Sequence, residues 1–383
     1  MINLQRSERM VDVATHLADL TRASSITGRE RAVADLLRRQ WASLVDEAKR
    51  DRLGNFIGLK RGENSATELR SLPFPGPEQQ SRPGARPPGP PKIMAAAHID
   101  SIGGMVTAIE PGGFLRFTTV GGVDRRLLMA QEVEVHGARI IPGLVGSKPP
   151  HMTTPEERSK LLPPEQLYID TGLSEAEVKA LVSLGAPVLP RYEFRQLQGE
   201  RVSSRYMDNR AGVATLAVAL AELQHLKHTA DFYAVGTVGE EFGGLPGATT
   251  STFEIKPDIG IAVDVTFAKH PGSEEDSFPL GGGPTIGVGP NCTPRLAKLL
   301  RQIAADLGIH YELEVMPGPS GTDAWAMQVV RGGVATGIIS IPLRYMHTPV
   351  ETVDLADIRA AGRLLANFVA RIDSAFVEGL TCC

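Results

Sequence analysis

The chain has 383 residues, 42% of them hydrophobic, and a formal charge of −4, the profile of a globular protein whose main partner is neither nucleic acid nor an anionic membrane. No apolar run is long enough to span a bilayer, and the opening MINLQRSERMVDVATHL lacks the apolar stretch and small-residue cleavage site of a secretory signal. Three cysteines, Cys292, Cys382 and Cys383, cannot frame a disulfide scaffold, so a reducing, cytoplasmic setting is expected.

In chain order, helical periodicity covers 8–21 and 28–47, the second introduced by Thr27 and Glu30 at capping-box spacing. NFIGLK reads as a short strand. Residues 62–91 then hold eight prolines and almost no periodic apolar residues. Such a segment cannot bury enough surface to offset its ordering entropy, and it reads as a mobile loop. KIMAAAHID reads as the next strand, so two strands joined by a long tip is the simplest arrangement. At about 3.3 Å per residue the strand start at Lys92 lies roughly 20 Å from His98, and the proline-rich loop is expected to stay clear of any chemistry there.

From 106 to 200 the texture changes. MVTAI, GFLRFTTV, QEVEVHG, RIIPGLVG and QLYIDTG are short β-type runs separated by glycines, with one helix expected at SEAEVKALVSLG behind a Ser174–Glu177 capping box. These residues predict an inserted, small β-rich domain. Beyond 201, helices at 210–226, 293–307 and 354–373 alternate with the apolar strands DFYAVGTV, DIGIAVDV and GVATGIISI. That alternation predicts an α/β fold, a sheet sandwiched by helices and built from 1–105 plus 201–383. GGGPTIGVGP at 281–290 reads as a tight turn, since it lacks the lysine and serine of a phosphate loop.

The ionisable residues share one placement: they follow the buried strands. KIMAAA runs into His98 and Asp100, FYAVGTV into Glu240 and Glu241, and GIISIPLRYM into His347, while GIAVDV carries Asp264 and Asp208 stands just before a helix. In open α/β sheets the crevice beyond the carboxyl ends of the strands is where ligands bind. Each residue alone has an ordinary explanation, Asp208 as a helix N-cap or Glu240–Glu241 as a solvated turn. Their shared location argues for a common purpose, and a carboxylate inside an apolar strand, as at Asp264, needs a partner or a metal. Two imidazoles with several carboxylates suit Zn²⁺, Co²⁺ or Mn²⁺, and the absence of cysteine argues against a structural zinc knuckle. His98 and Asp100, two apart on a strand, face the same way, so Asp100 can orient the imidazole. Adjacent glutamates diverge on an extended chain, so a division of labour is expected, one holding metal and the other taking a proton from water.

AHIDSIGGMV, YMDNRAG, VGEEFGGLPGA, VDVT, GPSGTDA and IPLRYMHTPVETVD, in this order, resemble the M42 metallo-aminopeptidases, the glutamyl or tetrahedral aminopeptidase group. The resemblance covers nearly the whole chain and implies a zinc-peptidase-like core. It implies that His98 and Asp264 hold one divalent metal, that Glu241 and His347 hold the other, and that Asp208 bridges them. Glu240 is then the general base and Asp100 the residue that steers His98, and the Asp208–Asn209 peptide is expected to be cis. The implied activity is removal of N-terminal residues from short peptides with a free amine, by metal-assisted hydrolysis with two Zn²⁺ or Co²⁺ ions (Mn²⁺ as a further option) per subunit. The insertion at 106–200 resembles the dimerisation domain of that family, so a homo-oligomer, a dodecamer built from dimers, is expected. The proline-rich 62–91 departs from the family in its length.

Three rivals are weaker. A glycosidase needs two opposed carboxylates and usually no metal, and the two tryptophans, Trp41 and Trp325, offer no sugar platform. A non-enzymatic scaffold on the same fold fits poorly with a complete set of ligands and base. A metal-dependent carboxypeptidase or amidohydrolase is disfavoured by the DNRAG and GTDA pieces. His270 in FAKHPG reads as a surface residue near the site.

Overall fold

The protein is described by a computed structural model over residues 11–63, 89–155, 160–273 and 276–380. Its strands in chain order are β1 (Glu47–Arg50), β2 (Phe56–Lys60) and β3 (Lys92–His98), then β4 (Gly103–Ile109), β5 (Leu115–Val120), β6 (Glu132–His136), β7 (Ile140–Gly146), β8 (Tyr168–Asp170) and β9 (Pro187–Pro190). There follow β10 (Arg195–Gln196), β11 (Arg201–Ser204), β12 (Asp231–Thr237), β13 (Ile259–Phe267), β14 (Thr285–Val288), β15 (Glu312–Val315), β16 (Ala335–Leu343) and β17 (Glu351–Asp354). The helices are α1 (Val13–Arg22), α2 (Arg31–Gln40), α3 (Glu175–Leu181), α4 (Met207–Leu223), α5 (Pro246–Ile255), α6 (Pro294–Leu307), α7 (Asp323–Gln328), α8 (Leu355–Arg371) and α9 (Ser374–Glu378).

Among the described residues an eight-stranded mixed sheet runs in the order β1-β2-β12-β3-β13-β16-β14-β15. Its centre is parallel, with β3 flanked by β12 and β13 and with β16 beyond β13. Alternate residues of β3 feed opposite faces: Ile93, Ala95 and Ala97 join one core, Met94 and Ala96 the other. Helices α1, α4, α6 and α8 pack on the first face, α5 and α7 on the second. Strands β4 to β9 close into a separate barrel with its own core of Val106, Phe117, Val135 and Ile169. A small sheet, β10-β11-β17, leads the chain back from the barrel into α4.

Local signals explain several boundaries. Ser174 and Glu177 form the reciprocal capping box at the head of α3. Pro294 opens α6 and Gly308, at φ 63°, ends it. Four readings of the sequence are corrected. The strands β2 and β3 are not neighbours, because β12 inserts between them, antiparallel to β2 and parallel to β3. The second helix stops at Gln40, and residues 47–50 are a strand. Thr27 and Glu30 make no capping box: the Thr27 hydroxyl donates to Asp100, and Glu30 instead accepts from the Gly28 N–H. Residues 281–290 are not simply a turn, since Thr285–Val288 is a strand paired on both edges. Most of the proline-rich stretch, 64–88, and Cys382 and Cys383 lie outside the described residues.

Helix α4 is buried almost throughout, wedged between the sheet and α8. The two helices meet at Gly362, where an added Cβ would stand 2.5 Å from Val218 Cβ and 2.9 Å from the Thr215 carbonyl oxygen. Gly362→Ala is therefore expected to destabilise the fold. The helix preference for alanine, about 1 kcal/mol, is outweighed by an overpacking cost of about 1–3 kcal/mol. Urea denaturation of the variant checks this, with a lower midpoint expected.

Candidate active site

Four parallel strands deliver their carboxyl ends to one edge. His98 is the last residue of β3, Glu240 and Glu241 follow β12, Asp264 lies near the end of β13, and His347 follows β16. Asp208 joins them from the head of α4, after Tyr206 in the left-handed region at φ 65°. Asp208 and Asn209 are non-helical and joined by a cis peptide. Asn209, not Asp208, caps the regular part of the helix, through Oδ1 to the Gly212 N–H at 2.9 Å. The Asp208 side chain is free for the site.

Asp208 is the hub. Its Oδ1 stands 3.0 Å from His98 Nε2 and its Oδ2 3.3 Å from His347 Nε2. His98 Nε2 is also 3.8 Å from Asp264 Oδ1 and 3.9 Å from Glu240 Oε2, and His347 Nε2 is 3.3 Å from Glu241 Oε2. The Nδ1 of each ring faces a backbone carbonyl: Asp100 at 3.3 Å for His98, Gly122 at 3.1 Å for His347. A carbonyl oxygen only accepts, so each Nδ1 carries the proton, and in the neutral rings each Nε2 lone pair points inward.

Two groups could hold a metal ion, with ligand atoms all within 4.8 Å of one another: His98, Asp208 and Asp264, and Asp208, Glu241 and His347. They share Asp208, and neither includes Glu240. Electrostatics favour cations here. Burial, aided by neighbouring carboxylates, pushes the Glu241 carboxyl up and that of Asp264 well above its ordinary value. Burial likewise raises Glu240 to about 8. Burial also acts to raise Asp208, but hydrogen bonds from His347 and His98 outweigh it and hold that carboxyl below the usual range. Hydrogen bonds to Asp208 and Glu241 lift the His347 imidazole to about 11. Burial opposes a charge on His98, yet Asp100 and Asp208 overcome it and push its pKa well up. An oxygen-rich, partly histidine set in which carboxylates outnumber imidazoles is what Zn²⁺, Co²⁺ or Mn²⁺ takes.

Asp100 does more than face His98. Its Oδ1 is 3.6 Å from the imidazole Nδ1, but the shorter contacts go elsewhere: Glu240 N–H to Oδ1 and Glu241 N–H to Oδ2, both at 3.1 Å, and Thr27 Oγ1 to Oδ2 at 2.8 Å. One buried carboxylate thus anchors the backbone of both adjacent glutamates, while their side chains diverge to opposite halves of the site. The His270 ring lies tilted against Tyr345, 5.6 Å between ring centres, with its Nδ1 at the Pro271 carbonyl.

Three residues here were not singled out from sequence. Glu351 is buried and accepts the backbone N–H of Asp208 and of His347. Asp323 is buried at the head of α7 and accepts from Thr237 Oγ1 at 2.5 Å, with burial raising its carboxyl to about 6. Gly122 brings its carbonyl to His347 across a gap that a Cβ would close to 2.7 Å from Nδ1. The motifs around Glu351 and Asp323, PVETVD and GTDA, were visible, but the contacts of Glu351 and Gly122 involve backbone groups and leave no side-chain pattern to read.

Asp100→Asn tests the anchoring. An amide presents one NH₂ to two backbone donors, so one of the 3.1 Å contacts is lost. Turnover of an unblocked aminoacyl amide is expected to fall about 10–100-fold with the fold retained, the scale typical for groups that support ligands. Rates equal to the unaltered protein would contradict it.

The profile of the M42 glutamyl aminopeptidase family matches residues 84–364. The lysyl aminopeptidase of Pyrococcus furiosus is 35% identical over 333 residues, which cover 85% of this chain and 86% of that protein. Among solved structures, aminopeptidase APDkam598 from the archaeon Desulfurococcus kamchatkensis superposes with a TM-score of 0.83 at 34% identity, covering 96% of this chain and 97% of that one. The TET1 peptidase of Pyrococcus horikoshii, which can assemble into a tetrahedron or a large octahedral shell, gives 0.78 at 29% identity over 94% of this chain and 100% of that one. The match spans most of the sequence and both lobes of the fold, and the chain belongs to the M42 peptidase family, as a peptide hydrolase of the aminopeptidase kind.

Proposed function

We propose that the protein is a two-metal aminopeptidase acting on short peptides with a free N-terminus. One observation carries this reading: two candidate metal sets joined at Asp208, with Glu240 beside His98 and part of neither set. His98, Asp208 and Asp264 would hold one divalent ion and Asp208, Glu241 and His347 the other. When bound, the ions acidify a water and polarise the scissile carbonyl. The chain's own residues do the rest. Glu240, in the ionised form that nearby divalent cations would favour, takes a proton on its carboxylate and hands it to the leaving amine. Asp100 fixes the Glu240 backbone, so the base stays aimed while its charge changes. The Nδ1–H contacts of both imidazoles keep their Nε2 atoms turned inward.

A pocket between barrel and sheet touches Asp208, Glu241 and His347, has Phe117, Leu128 and Val133 among its apolar walls, and would be the way in for substrate. The carboxylate-rich floor favours a free α-amine over a neutral acylated one. The barrel would serve assembly into a homo-oligomer built from dimers. In support, Ile140 and Leu144 on the outward face of β7 are more than half exposed, and the Pyrococcus horikoshii relative can assemble into a tetrahedron or a large octahedral shell. Among the described residues no helix is long and apolar enough to cross a membrane.

Two measurements test the mechanism. Glu240→Gln is expected to keep its metal content, read by elemental analysis, while kcat on an aminoacyl amide falls at least about 100-fold. A variant as active as the parent would remove Glu240 from proton transfer. Dialysis against a chelator is expected to abolish turnover and Zn²⁺ or Co²⁺ to restore it, with the N-acetylated form of the same substrate left intact throughout. Cleavage of the acetylated peptide at a matching rate would refute the aminopeptidase reading.

A further inference from the structure

We infer that Glu351 is a positioning residue that assembles one particular half of the site, the set formed by Asp208, Glu241 and His347. The inference rests on the two-metal reading above. Glu351 opens β17 and is 2% exposed. In the β11–β17 ladder it lies opposite Ser204, so the strand that leads toward Asp208 and the strand that follows His347 run side by side. Its two oxygens are divided between those segments. Oε2 accepts the Asp208 N–H at 3.1 Å, and Oε1 accepts the His347 N–H at 2.7 Å.

Both peptide groups sit where regular structure offers no partner. His347 has φ 63°, in the left-handed region, and Asp208 is extended at φ −79°, ψ 106° inside a helical segment. A buried N–H without an acceptor is costly, so each depends on this carboxylate. Burying a carboxyl group at the head of a four-residue strand is also costly, and an apolar residue would fill the position without that cost. The arrangement makes sense if the spacing of the two segments matters more than the burial. That spacing sets the distance between His347 Nε2 and Asp208 Oδ2, 3.3 Å, which is the width of the second donor set.

The other set is braced differently. His98 ends β3 and Asp264 lies within β13, so two strands of the central sheet hold them, and only Asp208 is shared. Loss of Glu351 should therefore fall unequally on the two ions. The choice of side chain also follows. Glutamine offers one acceptor and turns an NH₂ toward the second N–H, whereas aspartate keeps both oxygens on a shorter arm.

The test is a calorimetric titration of the full-length, metal-stripped protein with Zn²⁺, comparing the parent with Glu351→Gln. Two binding steps are expected in the parent. In the variant one step is expected to persist unchanged, which also shows that the protein is folded, while the other weakens about 10–100-fold. Glu351→Asp provides the second variant, with the same unequal loss expected. Two unaltered steps, an equal loss in both, or failure of both variants to fold would overturn the inference, the last by showing that the residue serves the fold alone. A parent that binds fewer than two ions would instead overturn the two-metal reading, and this inference with it.

Discussion

Asp208 shows its two carboxylate oxygens to two different imidazoles, and the layout of the sheet makes that necessary. His98 ends β3 and His347 follows β16, with β13 between those strands. Strands in a sheet lie about 4.8 Å apart, so the two histidines start from positions roughly 10 Å apart. Two rings so placed do not converge on one point without distorting the strands. A carboxylate brought in from α4 reaches both, and the result is two donor sets with a shared member rather than a single cage. Asp208 must then project from a helix head that is not itself helical. The left-handed Tyr206, the irregular dihedrals of Asp208 and Asn209, and the transfer of the capping task to Asn209 all serve that end.

The same constraint explains how adjacent glutamates are tolerated. Glu240 and Glu241 leave β12 after Gly239, whose φ of 75° is cheap only for glycine, and their side chains part toward His98 and His347. Their backbone N–H groups meet on Asp100, a third carboxylate behind them. Repulsion among the three is moderated by the imidazoles and by Arg210. That side chain is fully buried and donates to the Leu20 carbonyl and the Ser25 hydroxyl, and its charge is felt by Asp100 and Asp208. The negative charge gathered at the strand ends is what a pair of divalent cations would relieve.

Much of this was legible in the sequence because strand ends in an α/β sheet advertise themselves. An apolar run that breaks into His, Asp or Glu marks its own carboxyl end, and the parallel centre, β3, β12, β13 and β16, was readable that way. What stayed hidden depends on pairing between distant segments. Nothing local indicates that β12 separates β2 from β3, since that order depends on pairing with a strand about 140 residues further along the chain than β3. Thr27 and Glu30 had the spacing of a helix cap, but a buried carboxylate, Asp100, competed for the threonine hydroxyl and won it. Glu351 accepts from backbone N–H groups and Gly122 acts through its own carbonyl, so their residue types carried no signature of the site.

The barrel therefore stands closer to the chemistry than an inserted assembly module needs to. The loop after β5 supplies the Gly122 carbonyl that holds the outer nitrogen of His347, and the approach is so close that only glycine fits there. Arg205, three residues before Asp208, reaches Glu134 on β6 at 3.2 Å and the Pro190 carbonyl at the end of β9, while its Nε donates to the Thr21 carbonyl in α1. One buried guanidinium thus joins the barrel, α1 and the segment leading into the site. A sheet edge built from the outer segments alone would hold the His347 ring through Nε2, against Asp208 and Glu241, and leave Nδ1 without the Gly122 carbonyl. The insertion supplies that acceptor, which places one of the contacts that orient this imidazole in a different lobe from the strands that carry the rest of the cluster.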